Sequence, residues 1–260
     1  MHLQHGKISI GNQSKLVCIG YRCVLQKQFV RDATGRKVKA LQWLLTHSLN
    51  AKLLAIKRVT SSQGSKTPGV DKVVWSTPDA KLSAVKLLKR RGYKSQPLRR
   101  VYIPKANKEL RALGIPTMVD RAQQALYLLS LEPIAETLAD KNAYGFRRGR
   151  SSADAIEQCV RTLWHKGSAE WTLEGDIKSC FDNISHDWLM NNITVDKVML
   201  KQWLKSGYIS NGCYNPMENG APQGSLCKAS HNEPYAKKVI MQSSLSSSAS
   251  YNNFIAIYFA

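Results

Sequence analysis

The stretch PLRRVYIPKANKELRALGIPT, residues 97–117, admits few folds. Apolar residues alternate with basic or polar ones on two arms, Val101 and Ile103 on the first and Leu113 and Ile115 on the second. A polar Asn-Lys-Glu centre joins them, so the spacing predicts a β-hairpin carrying exposed Lys and Arg. Helical periodicity surrounds it. Residues 37–58 set Val38, Leu41, Leu44, Leu45, Leu49, Leu53 and Ile56 near helical spacing with basic residues between, predicting one basic amphipathic helix. SSQGSKTPGVD reads as a loop turning at Pro68 and Gly69, and 78–91 as a second helical stretch. Beyond the hairpin, Asp120 stands where an N-cap could start a long helix that Pro133 could kink or divide. Ser151 or Ser152 caps another helix, WTLEGDIK suits a strand, SerHisAspTrpLeu restarts a helix, and 194–205 forms a last helix ended by Gly207. Strands and helices mix without a regular βαβ repeat, so the expected class is α+β. From Ser225 the chain becomes Ser-rich and neither period persists.

Charge narrows the function. Against 38 Lys and Arg stand 18 Asp and Glu, a net +20 that exceeds what solubility requires and favours a polyanionic partner, nucleic acid ahead of an anionic membrane. No apolar run approaches the roughly 20 residues that span a bilayer, and the N-terminus lacks a signal-peptide core, so an intracellular, cytoplasmic protein is expected. The six cysteines form no CxxC pair and the six histidines no HExxH, which argues against a zinc centre. A Walker A loop and a GxGxxG are also lacking.

The sharpest local feature is GlyAspIleLysSerCysPheAspAsnIleSerHis, residues 175–186. A carboxylate ending a short apolar strand is well placed for a hard divalent cation, because oxygen ligands on a rigid element suit Mg²⁺. Taken alone, an Asp there is more often a turn or cap residue.

Its company changes the odds. ThrProGlyValAsp (67–71), ArgArgValTyrIleProLys (99–105), ArgAlaLeuGlyIleProThr (111–117), AspArgAlaGlnGlnAlaLeu (120–126), TyrGlyPheArg (144–147), the Asp176 motif and GlyAlaProGlnGly (220–224) follow one another in order. Over roughly residues 25–224 the chain resembles group II intron-encoded reverse transcriptases and maturases. The resemblance implies a helical, basic N-terminal extension over 1–60 and the fingers and incomplete palm of a right-hand polymerase over 61–224. A tail unrelated to the family and poorly ordered is expected over 225–260.

By the same resemblance Asp176 is the first metal-binding carboxylate of the palm, with the backbone carbonyl of Ile177 a further Mg²⁺ ligand. Two such ions would activate a primer hydroxyl and neutralise a triphosphate. Phe181 matches the aromatic that excludes a 2′-hydroxyl, although a core Phe is the plainer reading, and Asp182 organises the turn. Lys105 and Arg111 match the clamp on the incoming nucleotide's phosphates, with Ala112 standing where the family usually has Pro. Pro222, Gln223 and Gly224 match the loop beside the nascent base pair. Tyr144 and Arg147, with Arg99 and Arg100, would contact nucleic acid, against a packed turn as the competing account for TyrGlyPheArg. The implied partners are an RNA template or intron RNA, a DNA primer and deoxynucleotides; the oligomeric state stays open.

The family's Tyr-Ala-Asp-Asp segment has no counterpart, since no Asp follows Asp196. The expectation is therefore a truncated or frameshifted RNA-directed DNA polymerase, inactive alone. The alternative is an RNA-binding, maturase-like module that assists intron RNA splicing without polymerising.

Overall fold

A computed structural model describes residues 3–31, 35–104, 108, 110–140, 142–145, 147, 149–168, 171–174, 183–220 and 254–257. Helices dominate its first third. α1 (Leu3–Arg31) is a long helix that the sequence periodicity had not singled out; it packs Cys18, Leu25 and Phe29 inward. The single helix expected over 37–58 is two, α2 (Arg36–His47) and α3 (Leu49–Thr60). Ser48 makes the break: it takes extended backbone (φ −70°, ψ 140°) and its hydroxyl accepts from Ala51 N–H at 3.2 Å, capping α3. A serine side chain that competes for backbone N–H groups favours such a boundary over continued helix. The break turns α2 and α3 separately onto the core, where Val38, Leu45, Ala55 and Ile56 are buried. Each buried leucine there contributes about 2 kcal/mol.

After a 3-10 turn at Gln63–Lys66 and α4 (Pro78–Leu87), the hairpin forms as its periodicity predicts. β1 (Leu98–Pro104) and β2 (Leu110–Ile115) pair antiparallel, with Arg99 opposite Ile115 and Ile103 opposite Arg111. α5 (Met118–Leu138) then runs through the core, its Leu126 and Ile134 fully buried. Its N-cap is Thr117, not Asp120, and Pro133 lies inside without dividing it. The proline deprives only the Leu129 carbonyl of its donor, a cost the packed surroundings absorb.

α6 (Ser152–Leu163) starts at a reciprocal capping box between Ser151 and Asp154. None of its residues is buried, and Ile156, Val160 and Leu163 stay exposed beside Trp164. β3 (Trp171–Glu174) follows, then α7 (His186–Asn192) and α8 (Lys197–Leu204). β4 (Tyr208–Ser210) and β5 (Cys213–Asn215) complete a sheet of order β2-β1-β4-β5, in which β1 and β4 run parallel. In the tail expected to lack pattern, β6 (Phe254–Ile257) pairs parallel with β3. Helices and strands of mixed order make an α+β arrangement, consistent with polymerase fingers and palm.

Candidate nucleotide and nucleic-acid site

Basic side chains gather where the hairpin meets α5. Arg100 lays its guanidinium over the Tyr208 ring of β4, 4.3 Å from the centroid, so a cation–π contact orients it from the neighbouring strand. The Nε atoms of Arg99 and Arg100 are buried and lack a hydrogen-bond partner among the described residues. Each is a donor that burial has desolvated, on a residue that is itself only half-buried. Arg111 is exposed on β2, opposite Ile103.

The ThrProGlyValAsp loop is held to the same corner by Arg121, whose guanidinium donates to the carbonyls of Pro116 (2.9 Å), Gly64 (2.8 Å) and Thr67 (2.6 Å). Burial pushes its pKa down, Asp71 pulls it up and Arg99 adds to the depression. Thus a loop, a strand and a helix start present Asp71, Arg99 and Arg121 together.

Beneath them lies a network that the sequence reading missed. Asp120, buried at 1% exposure, accepts from the Tyr93 hydroxyl (2.5 Å), the Thr117 hydroxyl (2.8 Å) and Gln96 N–H (3.2 Å). Trp203 of α8 donates its indole N–H to the Tyr93 oxygen at 2.9 Å, tying α8 to the start of α5. The sequence clue was Thr117-x-x-Asp120, a cap with an acidic residue three positions on.

TyrGlyPheArg behaves as a packed turn where it is described. Arg147 donates to both carboxylate oxygens of Glu136 and to the carbonyls of Asp140 and Ala143, and its side chain is 9% exposed. That guanidinium closes the end of α5 and is committed within the chain. Arg150 instead sits over Tyr144, 5.5 Å from the ring centroid. Replacing Arg147 with Ala should lower stability by about 2 kcal/mol by leaving the half-buried turn without its clamp. RNA affinity should change less than twofold, as thermal melts and filter binding on the same preparation would show.

Lys105, Asp176, Ile177, Phe181, Asp182, Pro222, Gln223 and Gly224 lie outside the described residues. Their flanks do not. The residues that follow Asp182 and those that precede Pro222 are joined: His186 donates from Nε2 to the Gly220 carbonyl at 2.8 Å, and Gly220 N–H donates to the Ile184 carbonyl at 2.8 Å. An antiparallel bridge between Ser185 and Asn219 completes the junction. The chain exit of the Asp176 motif and the chain entry of the ProGlnGly motif are therefore adjacent, although 34 residues separate His186 from Gly220.

Comparison with known proteins supplies the decisive finding. A family model for the N-terminal domain of reverse transcriptase matches residues 25–88, and the model for reverse transcriptase (RNA-dependent DNA polymerase) matches residues 103–259. The chain belongs to the reverse transcriptase family. The second match runs past residue 224 and takes in β6. Among curated relatives, the group II intron-encoded protein LtrA of Lactococcus lactis subsp. cremoris is 36% identical over 182 residues, 66% of this chain and 30% of its own length. Protein YkfC of Escherichia coli is 39% identical over 184 residues, 65% of this chain and 48% of its own. An uncharacterized 91 kDa protein in a cob intron of Schizosaccharomyces pombe is 32% identical over 183 residues, 67% of this chain and 22% of its own. The matched segment thus spans less than half the length of each of these relatives.

Reverse transcriptases use a divalent metal such as Mg²⁺. Among the described residues no group of three or more His, Cys, Asp or Glu side chains could hold a metal ion. Asp176 and Ile177, the metal ligands that the family resemblance leads one to expect, lie outside those residues. Among the described residues no helix is long and apolar enough to cross a membrane.

Proposed function

We propose that this chain is the RNA-gripping portion of a group II intron-type RNA-directed DNA polymerase, and that a polypeptide of these 260 residues binds RNA without polymerising. The reading rests on one observation above all: the β2 arm of the basic hairpin and the joined flanks of the Asp176 and ProGlnGly motifs fall within one reverse-transcriptase match, which begins at residue 103, near the end of β1. In this reading Lys105 and Arg111 address nucleotide phosphates, Arg99 and Arg100 the nucleic-acid backbone, and Asp176 a metal ion with Ile177. Phe181, Gln223 and Gly224 then border the nucleotide. RNA template or intron RNA, DNA primer and deoxynucleotides are the partners. The alternative within this reading is an RNA-binding module that assists intron RNA splicing without DNA synthesis, to which the group II intron-encoded relative lends support.

Filter binding of a structured RNA across a salt series tests the gripping role. A net charge of +20 predicts affinity that falls roughly linearly on logarithmic axes, and replacing Arg99 and Arg100 together with Gln should reduce the slope by about 1–2. A slope near zero would remove the nucleic-acid reading. Primer extension on an RNA template with Mg²⁺ tests the second half: no extended product is expected. Robust synthesis that Asp176→Ala abolishes would show that the 260 residues carry a working centre.

A further inference from the structure

Away from the hairpin, α2 faces α5 and the α7–α8 corner across a cleft of about 500 Å³, within the roughly 300–1,000 Å³ usual for small-ligand pockets. Its lining differs from an ordinary helix junction. Trp43 is 55% exposed and stacks on His47, ring centroids 4.2 Å apart and 23° from parallel. Because a carbonyl can only accept, the 2.8 Å contact between His47 Nδ1 and the Trp43 carbonyl places a proton on Nδ1. That bond fixes the imidazole against the indole and leaves Nε2 as its remaining polar atom. The result is an aromatic platform held in place before any ligand arrives, and much of the indole surface is open.

Two ammonium groups share the cleft with that platform. Lys39 comes from α2 and Lys197 from the first turn of α8. Lys197 donates to the Ile193 carbonyl at 2.5 Å, which aims its Nζ across the α7–α8 corner. Burial and then repulsion from Lys39 hold its pKa below the ordinary lysine value, so the two amines sense one another. Among the described residues no carboxylate forms an ion pair with either amine. The one acid in the lining, Asp196, is already engaged: it pairs with Arg90 and accepts from Val198 and Met199 N–H at the start of α8. Gln42, whose Nε2 donates to the Thr194 carbonyl at 2.8 Å, stitches the two walls together and fixes the width. Unpaired positive charge therefore stands beside an exposed stacking surface, in a cleft of set width.

A dianion alone would satisfy the lysines but leave the indole idle, and an apolar ligand would do the reverse. A ligand that joins an aromatic ring to a phosphate through a short linker uses both, since base–aromatic stacking and phosphate contacts are the two forces that hold unpaired nucleic acid. We propose that this cleft binds one nucleotide of a single-stranded RNA, its base stacked on Trp43 and its phosphate between Lys39 and Lys197. The proposal rests on the RNA-binding reading above only for the strand to which the nucleotide belongs.

The test uses the whole chain. In ¹H–¹⁵N spectra the indole signal of Trp43 is assigned by its loss in Trp43→Phe, and is then followed during titration with a uridine tetranucleotide, with UMP and with inorganic phosphate. The tetranucleotide should move the signal saturably. Lys39→Gln and Lys197→Gln should each weaken binding about three- to tenfold, and Trp43→Ala about tenfold, while Trp43→Phe retains binding by anisotropy of a labelled strand. Lys39 is exposed, so its replacement leaves the fold intact and keeps the outcome interpretable. A Trp43 signal unmoved by the tetranucleotide overturns the proposal. Equal affinity for inorganic phosphate overturns it too, because the base would then contribute nothing; binding of UMP but not of the tetranucleotide overturns the strand assignment. Failure of the RNA-gripping reading would appear instead in the salt series and in the Arg99 and Arg100 variants, and would leave the UMP titration of the cleft unchanged.

Discussion

Asp120→Ala should cost about 3 kcal/mol of unfolding free energy, read as a lower urea midpoint at unchanged slope. The substitution strips the acceptor from the Tyr93 hydroxyl, the Thr117 hydroxyl and Gln96 N–H at once, in a buried site. It also loosens Trp203, whose indole N–H reaches the network through Tyr93. The same residue sets a pH dependence of definite sign. Burial, against hydrogen bonds from Tyr93, Thr117 and Gln96, leaves the Asp120 pKa raised from its ordinary 3.8. The folded chain therefore binds that proton more tightly than the unfolded chain. This contribution is fully present below the unfolded value and is lost as pH rises through the folded one. Asp120→Asn, which cannot ionise, should flatten that part of the stability profile while costing less than Ala.

Gly69→Ala is the second large effect expected. A Cβ at this position would lie 2.7 Å from Thr117 Cα and 2.8 Å from Thr117 N, backbone atoms that cannot swing aside as a side chain would. Either the ThrProGlyValAsp loop lifts off the start of α5 or α5 shifts, at about 2–4 kcal/mol. Lifting the loop would stretch the Arg121 bonds to Gly64 and Thr67, so protease cleavage within residues 61–71 should accelerate along with the fall in melting temperature. A melting temperature unchanged within 1–2 °C would show that the close approach is not maintained in solution.

Features written in short-range periodicity were legible in the sequence. On the hairpin arms Val101 and Ile103, and Leu113 and Ile115, stand two residues apart, and Ser151 with Asp154 announces α6. Features that depend on competition between local signals were not. Ser48 carries no period of its own, yet its hydroxyl outweighs the apolar pattern running through it. Asp120 reads as a cap until Thr117, three residues earlier, is seen to hold that place. β4 and β5 are three residues each, too short for alternation to register, though the Asn211–Gly212 pair at positive φ between them is a hairpin signal. The role of Arg147 depends on Glu136, eleven residues back on α5, which no window around TyrGlyPheArg contains.

The junction of His186 with Gly220 has a consequence for how such a chain can change over generations. Because the two ends of the α7–β5 segment are fastened side by side, the number of residues between them does not set the separation of the motifs on either flank. Insertions at its exposed turns, such as Asn211–Gly212 between β4 and β5, can therefore lengthen the segment while the flanking motifs keep their register; α8 and β4 cannot vary so freely, because they are packed and bonded to the rest of the fold.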